Sequence, residues 1–184
     1  QNPPNPFDLT ALQLEAYKTL RISPKETLSL AQSLYSNSYI SYPRTSSNQL
    51  PEALNYKEII KNLTKQTKYK KLADELLKGK LIPNNGKKTD PAHPAVYPTG
   101  EIPKSITERE QKLYDLIVKR TLATFSTPAK RETVSIEIDI NKEIFITKGT
   151  RTIEEGWHYF YHPYVMLEEQ ELPHVEKGDE LKII

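Results

Sequence analysis

Apolar side chains in the first 130 residues recur at intervals of three and four, which is the period of an amphipathic helix. Helix starts are marked where serine, threonine or asparagine is followed three residues later by glutamate or glutamine, because such pairs satisfy backbone donors. Four pairs precede apolar repeats: Thr10 with Gln13, Ser23 with Glu26, Asn55 with Glu58, and Thr107 with Glu110. The sequence predicts a helix after each, and another from about Lys68 to Lys78 that Gly79 closes.

The segments between these helices lack that period. The turn from Arg21 to Ser23 is short, so the first two helices are expected to meet at an angle, as in a helix-turn-helix pair. Residues 39–42 favour an extended conformation, which Pro43 ends because proline cannot donate to a ladder. Four prolines between Leu81 and Gly100 predict a stiff loop.

The period changes near Lys130. Apolar and polar residues alternate from Val134 to Ile140, which predicts a half-buried strand. A turn at Asn141 and Lys142 leads into a second strand from Glu143 to Thr147.

Residues 157–163 and 181–184 also favour strands. The sequence before Lys130 is therefore helical and basic, and the sequence after it is β-prone and acidic. We predict an α+β fold, with a helical domain over residues 1–130 and part of a β-rich domain over residues 131–184.

The composition narrows the class of protein. Hydrophobic residues make up 36% and charged residues 27%, which is typical of a globular chain. The absence of cysteine excludes a disulfide scaffold and thiolate chemistry. No apolar run reaches the roughly 18 residues needed to cross a bilayer. The chain begins with Gln1 and its only methionine is Met166, so we expect a piece of a longer protein.

The net charge of +2 hides a strong asymmetry. Residues 57–88 hold ten lysines against three acidic residues, and residues 132–184 hold five basic against twelve acidic residues. A basic segment of that density binds phosphates by releasing counterions, or else forms a solvated helical face. Charge alone leaves both interpretations open.

The densest polar cluster runs from Ser41 to Gln49. A tyrosine hydroxyl is largely protonated at neutral pH and needs a cation or base to become a nucleophile. Arg44 could assist Tyr42, because its guanidinium can hold a phosphate through two hydrogen bonds. Composition alone is equally compatible with a hydroxyl-rich turn at a strand end.

Two other patterns are rejected as sites. His158 and His162 lie in a segment that reads as a strand, where their side chains would be too far apart to share a zinc ion. Residues 86–89 look like a phosphate loop, but Lys88 stands where serine or threonine is required, and Gly79 is too distant to be the first glycine of the motif. We therefore expect neither a metal site nor ATP binding.

Three segments carry a family resemblance. Residues 39–47, Tyr-Ile-Ser-Tyr-Pro-Arg-Thr-Ser-Ser, resemble the active-site signature of type IA DNA topoisomerases. Residues 90–100 resemble the family's histidine motif, and residues 31–35 resemble the helix that leads to the tyrosine. Residues 110–131 and 156–157 also fit, so the resemblance covers most of the chain.

The resemblance implies a role for each matching residue. Tyr42 would attack DNA, Arg44 would sit beside the scissile phosphate, and His93 would contact phosphate or relay protons. The DNA-binding residues would be Thr45, Ser46, Ser47, Thr99, Lys87 and Lys88. Many family members have aspartate where Ser46 stands, and the Thr-Ser-Ser version resembles archaeal members.

The resemblance also implies the architecture and the partners. Residues 1–130 would form a winged-helix-like (CAP-like) domain, followed by part of the β-rich arch over the DNA gate. Mg²⁺ would be held by a separate Toprim domain of the same parent chain, so this piece alone should be inactive. The expected partners are single-stranded and negatively supercoiled DNA, with no membrane, in the cytoplasm at the nucleoid.

Two alternatives remain open, the topoisomerase half of reverse gyrase and a noncatalytic winged-helix module that only binds DNA. A tyrosine recombinase fits less well, because its catalytic arginines and histidine should precede the tyrosine, whereas His93 follows Tyr42.

Overall fold

A computed structural model describes residues 1–165 and 167–180. These ranges contain six helices and one two-stranded antiparallel sheet. In chain order the elements are α1 (Leu9–Leu20), α2 (Pro24–Ser36), α3 (Tyr56–Leu63), α4 (Thr67–Leu76), α5 (Glu108–Thr124), β1 (Lys130–Ile140), β2 (Glu143–Glu154) and α6 (Trp157–Tyr161). The strand expected at residues 181–184 lies outside the described residues. Of the helices described, none is long and apolar enough to cross a membrane.

Three of the four capping predictions are confirmed. The side chains of Ser23, Asn55 and Thr107 each accept a hydrogen bond from the backbone N–H three residues on. Thr107 and Glu110 form the complete reciprocal capping box. The local sequence therefore determines where α2, α3 and α5 begin.

The predicted start of α1 is wrong. Helix α1 begins at Leu9, and Asp8 rather than Thr10 is its N-cap, with Asp8 Oδ1 accepting from Ala11 N at 2.7 Å. Asp8 is 3% exposed, and the surrounding structure fixes its carboxylate in the capping position. The helix therefore begins two residues earlier than a cap at Thr10 would predict.

The predicted end of α4 is also wrong by two residues. The helix ends at Leu76, and Gly79 does not adopt the left-handed conformation of a glycine cap. Leu77 is the C-cap, and its N–H donates the last helical hydrogen bond, to the carbonyl of Ala73 at 3.1 Å.

Helix α5 is the centre of the helical part. Eleven of its seventeen residues are buried, and α1, α2, α4 and α6 all pack against it. The fully buried Leu113, Leu116 and Ile117 each contribute about 1.5–3 kcal/mol to folding by leaving water. This core supports the loops that carry the polar cluster.

Strands β1 and β2 form a hairpin whose register runs from Lys130 opposite Glu154 to Ile140 opposite Glu143. The two-residue turn is confirmed, with Asn141 and Lys142 both at positive φ, 52° and 72°, as the twist of a tight hairpin requires. The second strand extends beyond the predicted Thr147. Its apolar residues are more exposed than half-buried, with Ile144, Phe145 and Ile146 above 50%.

Residues 157–161 form a helix, so the strand predicted there is wrong. Gly156 adopts a φ of 49°, which ends β2 and lets the chain turn back. Helix α6 then packs on α5 and buries Phe160 and Tyr161. Aromatic residues favour strands only where a sheet surface receives them, and here α5 receives them instead.

The start of β1 at Lys130 coincides with the proposed domain boundary, while α6 returns to the helical core. The division into residues 1–130 and 131–184 remains a prediction.

Candidate active site

Two irregular segments lie side by side in opposite directions. Ser41 N donates to the carbonyl of Tyr97 at 2.9 Å, and Thr99 N donates to the carbonyl of Tyr39 at 3.1 Å. Further along, Gly86 N donates to the carbonyl of Asn48 at 3.1 Å. Residues 39–50 are therefore bound along residues 85–99, although the proline-rich loop forms no regular strand. This pairing brings the tyrosine signature and the histidine motif together.

The ring of Tyr42 lies against the ring of His93. Their centroids are 4.4 Å apart with an interplanar angle of 37°, and the ring of Tyr35 meets Tyr42 edge-on at 5.2 Å. Tyr42 is half-buried and His93 is 42% exposed, so both rings are packed yet reach solvent. The structure thus brings together two of the three predicted catalytic residues.

Several buried tyrosines are less suited to act as a nucleophile. Burial raises the pKa of Tyr114 to about 12, and it raises the pKa values of Tyr69 and Tyr161 as well. A hydroxyl that holds its proton more tightly is harder to activate.

Arg44 is exposed, two positions after Tyr42. Among residues 1–165 and 167–180, its guanidinium joins none of the ion pairs. Its five N–H donors are therefore open to an oxyanion such as a phosphate.

The hydroxyls expected to contact DNA are used within the fold. Thr45 Oγ1 donates to the carbonyl of His93 at 3.2 Å, and Ser47 Oγ donates to the carbonyl of Lys88 at 3.4 Å. Both side chains are 4% exposed. Thr99 Oγ1 donates to the carbonyl of Ser38 at 2.7 Å, at the end of α2. These groups hold the two segments together.

The two lysines of the loop differ. Lys87 is exposed, while Lys88 Nζ pairs with Asp8 Oδ2 at 2.7 Å. Asp8 thus caps α1 with one oxygen and holds the loop with the other.

Asp90 is a site residue that the sequence did not single out as one. Its carboxylate accepts from the backbone N–H groups of Ala92, Ser46 and His93 and from Ser46 Oγ, and these bonds lower its pKa to about 2. An aspartate that precedes proline is a signal of a turn held by the side chain, and that signal could have identified it.

His158 lies in helix α6 and His162 is the residue that caps its end, so the strand geometry by which a shared metal site was rejected is wrong. The two side chains differ in environment: His158 is buried, with Nε2 at 3.1 Å from Gln1 Oε1, while His162 is exposed. Burial, followed by the nearby charge of Arg131, lowers the pKa of His158. In the part of the chain that the structure describes, no group of three or more histidine or acidic side chains could hold a metal ion.

The basic segment from Lys57 to Lys88 covers α3 and α4. Four of its lysines pair with acids, namely Lys68 with Asp115, Lys70 with Asp74, Lys78 with Glu75, and Lys88 with Asp8. The other six are exposed and form no ion pair within the described ranges; they are Lys57, Lys61, Lys65, Lys71, Lys80 and Lys87. That leaves a positive surface on this part of the molecule.

Comparison with known proteins gives a consistent result. A family model described as DNA topoisomerase matches residues 1–184. DNA topoisomerase 1 of Pyrococcus horikoshii is 49% identical over 187 residues, covering 100% of this chain and 27% of that protein. Human DNA topoisomerase 3-alpha is 35% identical over 176 residues, covering 95% of this chain and 17% of that protein.

A solved structure agrees with these relatives. Full-length topoisomerase I from Thermotoga maritima matches with a TM-score of 0.70 and 26% identity, over 97% of this chain and 30% of that chain. The chain spans about a quarter of the length of the curated archaeal relatives that it matches.

Proposed function

The chain belongs to the type IA DNA topoisomerase family, and from this premise we propose that its parent protein cuts and rejoins one DNA strand through Tyr42. The parent would hold the 5′ end as a phosphotyrosine, pass the other strand and reseal, which relaxes supercoils. The observation that carries this proposal is the Tyr42 ring packed against His93 at 4.4 Å beside the exposed Arg44.

The chemistry is a transesterification. Tyr42 Oη forms a bond to phosphorus, the bond from phosphorus to the 3′ oxygen breaks, and the phenolic proton ends on that departing oxygen. The new ester retains the energy of the broken phosphodiester, so resealing by the reverse step requires no ATP.

Each neighbour of Tyr42 has a role in this step. Arg44 holds the scissile phosphate and offsets the charge that develops on it. His93 contacts phosphate or relays the proton. Lys87 and exposed lysines of α3 and α4 bind the DNA backbone, together with Ser46 at the rim of the site. Lys88, Thr45, Ser47 and Thr99 act mainly by holding the loops.

The rest of the architecture is proposed on the same premise. Residues 1–130 form a winged-helix-like domain, and the hairpin within residues 131–184 belongs to a β-rich arch over the DNA gate. The partners are single-stranded and negatively supercoiled DNA, and the place of action is the nucleoid. The archaeal relatives favour a relaxing enzyme of the archaeal branch.

A type IA enzyme uses Mg²⁺, but the residues described here do not fit that ion, since no cluster of three acidic or histidine groups occurs among them. We assign Mg²⁺ to a Toprim domain elsewhere in the parent, and we expect this chain alone not to cleave DNA.

The proposal is tested by Tyr42→Phe in the full-length parent. The phenylalanine ring retains the packing on His93 but lacks the attacking oxygen, so no covalent DNA adduct should form with a labelled single-stranded oligonucleotide on a denaturing gel. Tyr17→Phe, at a tyrosine that is 55% exposed on α1, is the matched control and should form the adduct normally. An adduct at the wild-type level in Tyr42→Phe would refute the assignment, and DNA binding without an adduct in the wild type would favour a noncatalytic binding module.

A further inference from the structure

The carboxylate of Asp90 bridges the two segments of the candidate site. Oδ2 accepts from Ser46 N and Ser46 Oγ, both at 3.2 Å, and Oδ1 accepts from Ala92 N at 3.0 Å and His93 N at 3.1 Å. One side chain therefore binds the tyrosine-bearing segment with one oxygen and the histidine-bearing loop with the other. Its side chain is 18% exposed, so it lies largely within the site.

These bonds bear directly on the geometry of the reacting groups. Ser46 follows Arg44 by two residues, and His93 carries the ring that packs on Tyr42. Besides this bridge through Asp90, one side-chain hydrogen bond in the described ranges joins residues 45–46 to His93. It runs from Thr45 Oγ1 to the carbonyl of His93. Without Asp90, the N–H groups of Ser46 and His93 would lose their acceptor.

The charge of Asp90 also acts on the His93 ring. Asp90 Oδ1 lies 3.8 Å from His93 Nδ1, which is too long for a hydrogen bond but close enough for electrostatic attraction. A carboxylate at that distance favours a proton on Nδ1 over the other neutral tautomer. Nε2 is then the ring nitrogen left to accept a proton.

We propose that Asp90 is a positioning residue for strand cleavage, which holds the His93 ring against Tyr42 and selects the tautomer with the proton on Nδ1. The inference rests on the proposed function of Tyr42 and deepens it. In this role Asp90 is not itself a catalytic group, because it acts through His93.

The test compares cleavage with binding in the full-length parent. Asp90→Asn preserves shape and one acceptor for Ala92 and His93, but it removes the charge and directs an NH₂ group at the N–H of Ser46. We expect the single-turnover rate of adduct formation to fall roughly tenfold to a hundredfold, as for partners that orient a catalytic group. Affinity for the same oligonucleotide, measured without Mg²⁺, should change less than about threefold. Glu101→Gln, an exposed acid near the end of the same loop, is the control and should alter neither quantity.

A double-mutant cycle shows whether Asp90 acts through His93. In the His93→Ala background, Asp90→Asn should slow cleavage by less than about twofold, because the ring that it positions is gone. If Asp90→Asn also lowers the thermal midpoint of the parent, Asp90→Glu decides, since it retains the charge and should cleave faster than Asp90→Asn.

Three results would overturn the inference: unchanged cleavage in Asp90→Asn, equal losses of cleavage and binding, or effects of Asp90→Asn and His93→Ala that simply multiply. All three presuppose an adduct at Tyr42 in the wild type, so they are distinct from a failure of the proposed function, in which no such adduct forms.

Discussion

At the scale of single residues, the polar side chains around Tyr42 divide into those bound within the fold and those open to a ligand. The hydroxyls of Thr45, Ser47 and Thr99 donate hydrogen bonds to backbone carbonyls, and Lys88 forms an ion pair with Asp8. Arg44 is exposed. A bound group preserves the shape of the site, whereas an open cation can receive a phosphate.

This division predicts the effect of Arg44→Lys. Lysine retains the charge but loses the two-pronged donor, so one charge-assisted hydrogen bond of about 1.5–3 kcal/mol to the scissile phosphate should be lost. We expect single-turnover cleavage by the full-length parent to slow on the order of tenfold to a hundredfold, with a smaller loss of DNA affinity. Arg109→Lys, at an arginine paired with Glu26 on α2, is the control. Equal losses in cleavage and binding would make Arg44 an ordinary backbone clamp.

At the scale of elements, Asp8 joins α1 to the histidine loop. It caps the helix through Ala11 N and binds Lys88 Nζ, each at 2.7 Å, from a position that is 3% exposed. The start of α1 and the path of the loop are thereby coupled through one carboxylate.

Asp8→Ala should therefore destabilise the chain by more than loss of a cap alone, which costs about 1 kcal/mol. Urea denaturation followed by circular dichroism measures the change in the free energy of unfolding. Asp8→Asn retains a capping oxygen but loses the ion pair, so it should fall between wild type and Asp8→Ala. Ser23→Ala, which removes the cap of α2 without an ion pair, is the matched comparison. If Asp8→Asn were as unstable as Asp8→Ala, the ion pair rather than the cap would account for the loss.

At the scale of the whole molecule, charge is segregated along the chain. The segment from Lys57 to Lys88 carries a net charge of +7 and residues 132–184 carry −7. The exposed lysines of α3 and α4 thus offer phosphates a positive surface, while the region that includes the hairpin repels them.

The isolated chain should consequently bind single-stranded DNA weakly, with little sequence preference and with an affinity that falls steeply as salt rises. Titration of a labelled oligonucleotide at two salt concentrations measures this. Replacing Lys57, Lys61 and Lys65 with glutamine should reduce the slope of log affinity against log salt by about 0.7 for each phosphate that the protein no longer neutralises. The control is the replacement of Lys142 and Lys148 of the hairpin with glutamine, which should leave that slope unchanged. Tight, salt-insensitive binding would contradict the prediction, and Mg²⁺-dependent nicking by this chain alone would contradict the assignment of the metal to another domain.

The sequence alone determined the features that depend on neighbouring residues. The starts of α2, α3 and α5 were predictable because a cap and its acceptor lie three residues apart, and the hairpin turn was predictable because Asn141 and Lys142 stand between alternating strands. The tyrosine and histidine motifs also identified the family that the comparisons show.

Features that depend on contacts between distant residues required the three-dimensional structure. Helix α6 replaces a strand because α5 offers its aromatic side chains a surface to bury against. Helix α1 begins at Leu9, after its cap Asp8, because that carboxylate is held beside Lys88, eighty positions away. Asp90 joins Ser46 to His93 only once the loops are aligned. Burial and hydrogen bonds between remote segments leave no periodic trace in the chain, and so the arrangement of the candidate site could be read only from the folded molecule.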